Sequence, residues 1–462
     1  MQNPFNITGM CYIANPGTPG SYSGTYQPSL IQHLPERDRL KRDSSGQRHW
    51  EDCRLRLATL ATLDNVPGGI HDLMLHPEKS TNTNISLRLD NGDLRNVDTV
   101  IVEFSLDRPR TGGIRIDPNA DYAEIKAQAL RMHWKVNLHE ALDYSGARSG
   151  IEIAPSLLSM QEQERLVKAF TRLNYDRLGD NKYCPSTDLG FGPRHAEWVR
   201  SAYHDIKGYD CPGVITGKPV YSSGLRGRLE SGGVGLKIVL RETFRQLGKN
   251  VKTQDLSVAI QGFGTIGRWA AHTFVNSRAK VVAISDSTGG VYAPEGLNVQ
   301  ALLERKREGK PVTTNPLLGR PITNDELLVL RGIDVLIPAA VGDVISEDNA
   351  PDIQAKIILE GANGPTSSGA DRILNERGIL VIPDILANAG AVTASHLERI
   401  QGTTKQFFTQ KYVHEFVGQQ LRETTQRVFT QAREHNLDLR TSAGLLAMLK
   451  VITVMQHSGW EH

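Results

Sequence analysis

The sequence QGFGTIG at residues 261–267 decides the fold of this chain. It follows an apolar run, Leu256–Ile260, and opens a stretch with the character of a helix. A second apolar run, Val281–Ile284, leads into Ser285-Asp286-Ser287 about twenty residues after the last glycine. Strand, glycine-rich turn, helix, strand and acid in this order are typical of the beginning of a dinucleotide-binding fold.

Each part of this segment has a physical role in holding a nucleotide. Gly262 permits the tight turn, Gly264 lets the backbone approach a pyrophosphate, and Gly267 lets the helix pack closely on the sheet. The free amides at the start of the helix face the phosphates, and Asp286 is placed to accept from a ribose 2′-hydroxyl. The cofactor contacts predicted here are Gly262, Phe263, Gly264, Thr265, Ile266, Gly267, Asp286 and Ser287.

Length and composition limit the class of protein. A chain of 462 residues is too long for one hydrophobic core, so two or three domains are expected. The net charge of +2 gives no indication of a nucleic-acid partner or a membrane surface, and no apolar run has the length of a membrane helix. Four scattered cysteines fit reduced thiols in the cytoplasm, and their spacing predicts no metal site.

The first half of the chain predicts an arm and a mixed domain. Residues 1–75 are expected to form an N-terminal arm, irregular over residues 1–50. Residues 76–215 are expected to form an α/β substrate and oligomerisation domain, with strands between 80 and 116, a hairpin turn at Asn91-Gly92, and helices from Asp121 and Gln161. A polar, glycine-rich loop is expected from His139 to Gly150.

The second half has a different texture. Over residues 216–403, helical stretches alternate with apolar strand candidates at 256–261, 280–285, 333–337, 355–359 and 379–383. That alternation predicts a doubly wound, Rossmann-type domain with a parallel sheet covered on both faces. Residues 404–462 are expected to form amphipathic helices that fold back on the substrate domain. The fold class is therefore α/β, in two domains.

Five motifs in a fixed order carry a family resemblance. They are Val214–Pro219, Ile260–Gly267, Asp334–Ala340, Glu360–Thr366 and Val381–Gly390. Together they resemble the glutamate/leucine/phenylalanine/valine dehydrogenase family, and the chain length and C-terminal stretch are most similar to the hexameric glutamate dehydrogenases. The resemblance implies reversible oxidative deamination of an L-amino acid or reduction of its keto acid, with NAD or NADP, in a homo-oligomer that is a hexamer by analogy.

The resemblance also assigns roles to individual residues. Lys135 matches the cation for the substrate α-carboxylate, and Asp188 matches the aspartate that transfers protons. Ser395 matches a contact to the substrate side chain, in a substrate site that includes Thr111, Gly112 and Gly113. The positions matched to the nicotinamide end of the cofactor are Ser231, Ala339, Ala340, Asn363 and Asn388.

Two departures from the family pattern bear on the reaction. Arg148 stands where the family has its catalytic lysine, and a guanidinium stays protonated in proteins, so it cannot act as that base. Thr111 stands where glutamate enzymes have a lysine for the side-chain carboxylate. Both changes predict a substrate other than plain glutamate.

Several readings remain open from the sequence. The first is an oxidoreductase on another amino acid, imine or keto acid, in which Asp188 or a loop group (His139, Glu140, Asp143 or Tyr144) replaces the missing base. The second is a catalytically silent member that binds a nucleotide or an amino acid, or that partners an active subunit. The third is a non-redox conversion on the same scaffold. For the cofactor, Asp286 favours NAD, whereas Ser285, Ser287 and Thr288 are able to donate to the 2′-phosphate of NADP.

Overall fold

A computed structural model describes residues 44–64, 68–105, 107–314 and 318–458. The helices are α1 Ser45–Leu63, α2 Gly68–Leu75, α3 Tyr122–Leu138, α4 Met160–Asn174, α5 Pro193–Lys207, α6 Arg228–Gln246, α7 Thr265–Asn276, α8 Val299–Arg307, α9 Asn324–Leu328, α10 Ser368–Glu376, α11 Asp384–Ala387, α12 Gly390–Thr404, α13 Gln410–His435 and α14 Leu439–His457. The strands are β1 Lys79–Arg88, β2 Leu94–Glu103, β3 Arg110–Ile116, β4 Ser145–Ile151, β5 Tyr183–Thr187, β6 Ser257–Gln261, β7 Lys280–Asp286, β8 Gly289–Tyr292, β9 Arg320–Ile322, β10 Val335–Pro338, β11 Ile357–Leu359 and β12 Leu380–Ile382. Two sheets organise these elements into a two-domain α/β protein.

The first sheet has five strands in the order β1-β2-β4-β3-β5. The β1–β2 hairpin is antiparallel and turns at Asn91-Gly92 as predicted, with Gly92 at φ 95°. Strands β3, β4 and β5 run parallel to one another. Helix α3 packs closely on β4 because Gly146 has no side chain. A Cβ at that position would overlap the backbone of His133. This contact places the helix that carries Lys135 directly over the strand that carries Arg148.

The second sheet has seven strands in the order β12-β11-β10-β6-β7-β8-β9. The five predicted strand candidates all form, and they make the parallel part of the sheet. Strands β8 and β9 were not predicted; they extend one edge with antiparallel pairing. Chain order reverses between β10 and β6, and ligands of open α/β sheets bind in the crevice at such a point.

The C-terminal helices connect the two sheets. Helix α14 packs on α3 of the first domain, as expected for a tail that folds back, while α13 packs mainly on α6. The long amphipathic helix α13 buries Val413, Val417, Leu421 and Val428 on one side, which is the spacing of an apolar stripe facing a core. No helix among the described residues has the length and apolarity required to cross a membrane.

Two expectations about local structure need correction. The arm is helical from Ser45 onwards, because Ser44 caps α1 and the helix buries Trp50, Cys53 and Leu57 against the core; residues 1–43 lie outside the described part. The predicted loop 139–150 ends earlier, since β4 begins at Ser145. Arg148 is therefore held in a strand between β2 and β3, where its direction is fixed by the sheet.

Candidate active site

The glycine-rich turn has the geometry required to hold a pyrophosphate. Gly262 has φ 94° and lies against Ala339 and Ala340, so a side chain there would overlap their backbone. Gly267 touches the carbonyl of Gly262 and permits α7 to pack on the turn. A Cβ on Gly264 would meet nothing within 4 Å, and the start of α7 has no side-chain cap. The uncapped amides and the open space at Gly264 fit a bound phosphate.

The acid at the end of β7 is engaged by the protein's own donors. One oxygen of Asp286 accepts from the amide of Thr288 at 2.9 Å and from its hydroxyl at 2.6 Å. The other lies 3.3 Å from the ammonium of Lys306. Burial alone would raise the pKa of Asp286, but the donors of Thr288 and Lys306 lower it below its usual value. Asp286 is a charged acid at the predicted ribose position, Ser287 is exposed beside it, and Lys306 partly neutralises it.

A hydrogen-bonded chain crosses from one domain to the other. The Lys135 ammonium donates to Asn363 Oδ1 at 2.6 Å, although the two residues are 228 positions apart. Asn388 donates to the same oxygen at 3.1 Å and to the carbonyls of Gly361 and Ala362. The Oδ1 atom of Asn388 is buried and has no hydrogen-bond partner. This orphaned acceptor fits a donor of a bound ligand, such as the carboxamide of a nicotinamide.

Lys135 combines burial with a perturbed charge. Only 6% of its surface is exposed. Burial is the main cause that lowers its pKa to about 8; the positive charges of Arg148 and Arg131 act in the same direction, and Asp384 and Asp188 oppose them. Lys135 is thus mostly an ammonium at neutral pH, positioned to bind an anion in the cleft.

Asp188 is held by two arginines. Its Oδ2 atom accepts from Arg115 Nε at 3.1 Å and is also in direct contact with Arg148 Nη2. Burial would raise the pKa of Asp188, but Arg148 and Arg115 outweigh it and lower the pKa below its usual value. A carboxylate in this state is a weak base, and Arg148 is the neighbour that weakens it most.

The glycine pair on β3 makes room for this ion pair. A Cβ on Gly113 would lie 2.7 Å from Asp188 Cβ and 3.2 Å from Arg148 Cζ, and one on Gly112 would overlap the carbonyl of Ala147. Thr111 is buried and donates to the carbonyl of Cys184 at 3.4 Å. Of the three predicted substrate positions on β3, Gly112 and Gly113 leave room for neighbouring groups, and Thr111 bonds the backbone.

Ser395 lies on α12 beside a second arginine. Its hydroxyl accepts from Arg228 Nε at 2.9 Å and donates to the carbonyl of Ala391. Arg228 is itself 3.4 Å from the fully buried carboxylate of Glu398. Ser231 is fully buried, and its hydroxyl donates to the carbonyl of Gly227, the residue that precedes α6.

The loop groups considered as replacement bases are either bonded to other residues or exposed. His139 is fully buried between the carbonyl of Ile385 and the hydroxyl of Thr424. Glu140 pairs with Arg427 at 3.1 Å, and Asp143 is largely exposed. Tyr144 bonds His396, and burial raises its pKa to about 12. None of the four contacts Asp188 or Lys135.

Sequence reasoning missed Arg115, Arg228 and Arg399. Arg115 had a detectable signal, because residues two apart in a strand share a face and Arg115 stands two positions after Gly113. Arg399 also had a signal, because it stands four residues after Ser395 on the same helix, where side chains share one face. Arg228 had none, because it lies 167 residues from Ser395 on another helix and only packing brings the two together.

A two-domain α/β protein with a nucleotide turn, a buried lysine and a half-buried aspartate at its cleft has the architecture of an amino-acid dehydrogenase. The model of the Glutamate/Leucine/Phenylalanine/Valine dehydrogenase family matches residues 223–459, and that of the Glu/Leu/Phe/Val dehydrogenase dimerisation domain matches residues 77–205. The chain belongs to this family.

Named relatives and solved structures agree with this assignment. The chain is 35% identical over 396 residues to the catabolic NAD-specific glutamate dehydrogenase of Bacillus subtilis, covering 85% of this chain and 92% of that protein. It is 35% identical over 401 residues to the glutamate dehydrogenase of Thermotoga maritima, covering 86% and 95%. The hetero-hexameric glutamate dehydrogenase of Thermus thermophilus, in its leucine-bound form, superposes with a TM-score of 0.84 at 28% identity, over 89% of this chain and 97% of that one.

Proposed function

We propose that this protein is an NAD-dependent oxidoreductase that interconverts an L-amino acid and its 2-keto acid. The observation that carries the proposal is the 2.6 Å bond between Lys135 and Asn363, which joins the predicted substrate cation to the predicted cofactor side of the cleft. The NAD-specific names of the relatives from Bacillus subtilis and Staphylococcus aureus support NAD. Lys306 beside Asp286 leaves NADP as a second cofactor.

The residues of the cleft have separate roles in this reaction. When bound, the nicotinamide supplies the acceptor for the hydride that leaves Cα. Lys135 binds the α-carboxylate. Asn363, which is held by Asn388, orients the ammonium of Lys135 toward the nicotinamide end of the nucleotide site. Asp188 takes the proton that the substrate releases as its Cα–N bond is oxidised to an imine, and water then hydrolyses the imine to the keto acid and ammonia. The amides from Gly262 to Gly267 hold the pyrophosphate.

Proton transfer is the step that the sequence departures weaken. Arg148 supplies no titratable amine, and its contact with Asp188 lowers the pKa of the remaining carboxylate. A missing general base typically costs a factor of about 10² to 10⁴ in rate. Slow turnover of plain glutamate stays a prediction. It rests on Arg148 more than on Thr111, because Arg228 and Arg399 lie near the end of the site where Thr111 supplies no positive charge.

A panel of L-amino acids with NAD⁺ and NADP⁺, followed by absorbance of the reduced cofactor, tests the proposal. The Asp188→Asn variant should lose turnover and keep nucleotide binding, and Arg422→Gln, at an exposed position of α13, is the matched control. Cofactor reduction with any amino acid that depends on Asp188 supports the proposal. Absence of turnover across the panel in both directions would refute it.

A specific observation favours a second candidate, a catalytically silent subunit that binds nucleotide and amino acid. Asp188 is paired with two arginines at once, so two positive charges oppose protonation of the predicted proton carrier. The similar Thermus thermophilus protein is described as hetero-hexameric. Nucleotide and amino-acid binding without turnover, together with stimulation of a co-expressed active subunit, would identify this function.

The assembly and the domain limits are part of the proposal. The hetero-hexameric state of the similar Thermus thermophilus protein supports a hexamer, with contacts from the domain of residues 76–215. The nucleotide domain spans residues 216–403, and residues 404–462 form the tail. Cys53 and Cys184 are buried free thiols, which fits the cytoplasm. Light scattering that gives a monomer near 51 kDa would contradict the hexamer.

A further inference from the structure

Most buried cations among the described residues lie within ion-pair distance of a carboxylate. The buried arginines of the described residues are Arg108, Arg131, Arg148, Arg177 and Arg399. The first four lie at ion-pair distance from Asp143, Asp52, Asp188 and Glu103 respectively. Arg399 has no such partner among the described residues. A buried charge without a counter-charge is strongly unfavourable unless an anion is supplied from outside.

The surroundings of Arg399 are also incomplete in hydrogen bonds. Only 5% of the surface of Arg399 is exposed, and its guanidinium lies 4.6 Å from the centre of the Tyr144 ring. Nη1 makes one long bond, 3.4 Å, to the carbonyl of Arg110. Nη2 is buried and has no hydrogen-bond partner. Nη2 is therefore a free donor of the guanidinium, the group that recognises carboxylates.

The position of Arg399 places it at the far end of the substrate site. The carbonyl that it contacts belongs to the peptide bond leading into Thr111, where glutamate enzymes have their side-chain cation. Ser395, the predicted side-chain contact, stands four residues earlier on α12, and side chains four apart share one face of a helix. Arg228 closes the same end, where it shares the carboxylate of Glu398 with Lys218.

We infer that Arg399 is a specificity-determining residue that binds an anionic group at the end of the substrate side chain, in place of a cation at position 111. The ligand then meets Lys135 at its α-carboxylate and Arg399 at its far end, and neither of these buried cations has a carboxylate at ion-pair distance among the described residues. Lys218, the other buried lysine, is paired with Glu398 at 2.9 Å. The ligand class is a dicarboxylic amino acid or keto acid, and this inference rests on the proposed function for its α-carboxylate end.

Equilibrium binding tests the inference without any need for turnover. Calorimetry on the full-length protein with saturating NADH would compare 2-oxo dicarboxylates of five and six carbons with 2-oxo monocarboxylates of the same length. We expect the wild-type protein to bind the better dicarboxylate at least tenfold more tightly. Arg399→Met should abolish that preference and leave monocarboxylate binding unchanged, whereas Arg399→Lys should retain most of it. Arg422→Gln removes one charge at an exposed site and should retain all of it.

The possible outcomes separate this inference from the proposed function. A dicarboxylate preference that depends on Arg399, in a protein without turnover, supports the inference and counts against a dehydrogenase. Turnover without such a preference does the opposite. If Arg399→Met fails to fold, the wild-type and Arg399→Lys comparisons still decide. Equal binding of both acids, or no binding of either at millimolar concentration by wild type, would overturn it.

Discussion

His49 should make the stability of this protein depend on pH in a defined direction. It lies on α1 and contacts Glu124 of α3 through Nδ1, while Nε2 is 2.9 Å from Asp343 in the loop after β10. Burial alone would lower the pKa of His49, but Asp343 and Glu124 outweigh it and raise the pKa from 6.5 to about 9. The imidazolium therefore joins the two domains.

The size of the effect follows from that shift. Raising a pKa from 6.5 to about 9 stabilises the folded protein by about 3 kcal/mol. Because the folded pKa is raised, this contribution is complete below pH 6.5 and is lost as the pH rises through about 9. Only 6% of the surface of His49 is exposed, so solvent screening does not remove the effect.

Urea unfolding of the wild-type protein and of His49→Gln, at pH 6 and again at pH 10, measures this contribution. We expect the variant to lose about 3 kcal/mol at pH 6 and much less at pH 10. His457→Gln, an exposed histidine at the end of α14, should show no such dependence. An equal loss at both pH values would refute the reasoning, because it would mean that packing and not charge is responsible.

Three further results are expected. Gly264→Val should fold normally and lose NAD(H) binding in calorimetry, because its side chain occupies the open space at the turn. Gly267→Ala should lower the free energy of unfolding by about 1–3 kcal/mol, because its side chain overlaps the carbonyl of Gly262. Equal behaviour of the two variants would contradict this. Arg148→Lys should raise the rate of amino-acid oxidation about a hundredfold or more by returning a titratable amine beside Asp188, and a rate matched by Arg148→Met would exclude that cause. Keto-acid binding should weaken as the pH rises above about 8, where Lys135 loses its proton, and Lys135→Arg should bind independently of pH in this range.

The nucleotide-binding half was largely readable from the sequence. Turn glycines, apolar strands and an acid at a fixed spacing are local signals, and each acts on its own few residues of backbone. The five parallel strands formed where the apolar runs predicted them, and Gly262 took the positive φ that its turn required. Strands β8 and β9 escaped notice because they are three or four residues long and carry glycine or proline.

The active-site chemistry was decided by contacts between distant residues. The sequence showed that Arg148 cannot be a base, and the fold added that it also binds Asp188 and lowers its pKa. The link from Lys135 to Asn363 and the isolation of Arg399 depend on which helices pack against which strands. Periodicity predicts that a residue is in a helix or a strand. Burial and charge partners emerge only when segments hundreds of residues apart come together, so the state of each ionisable group belongs to the tertiary structure.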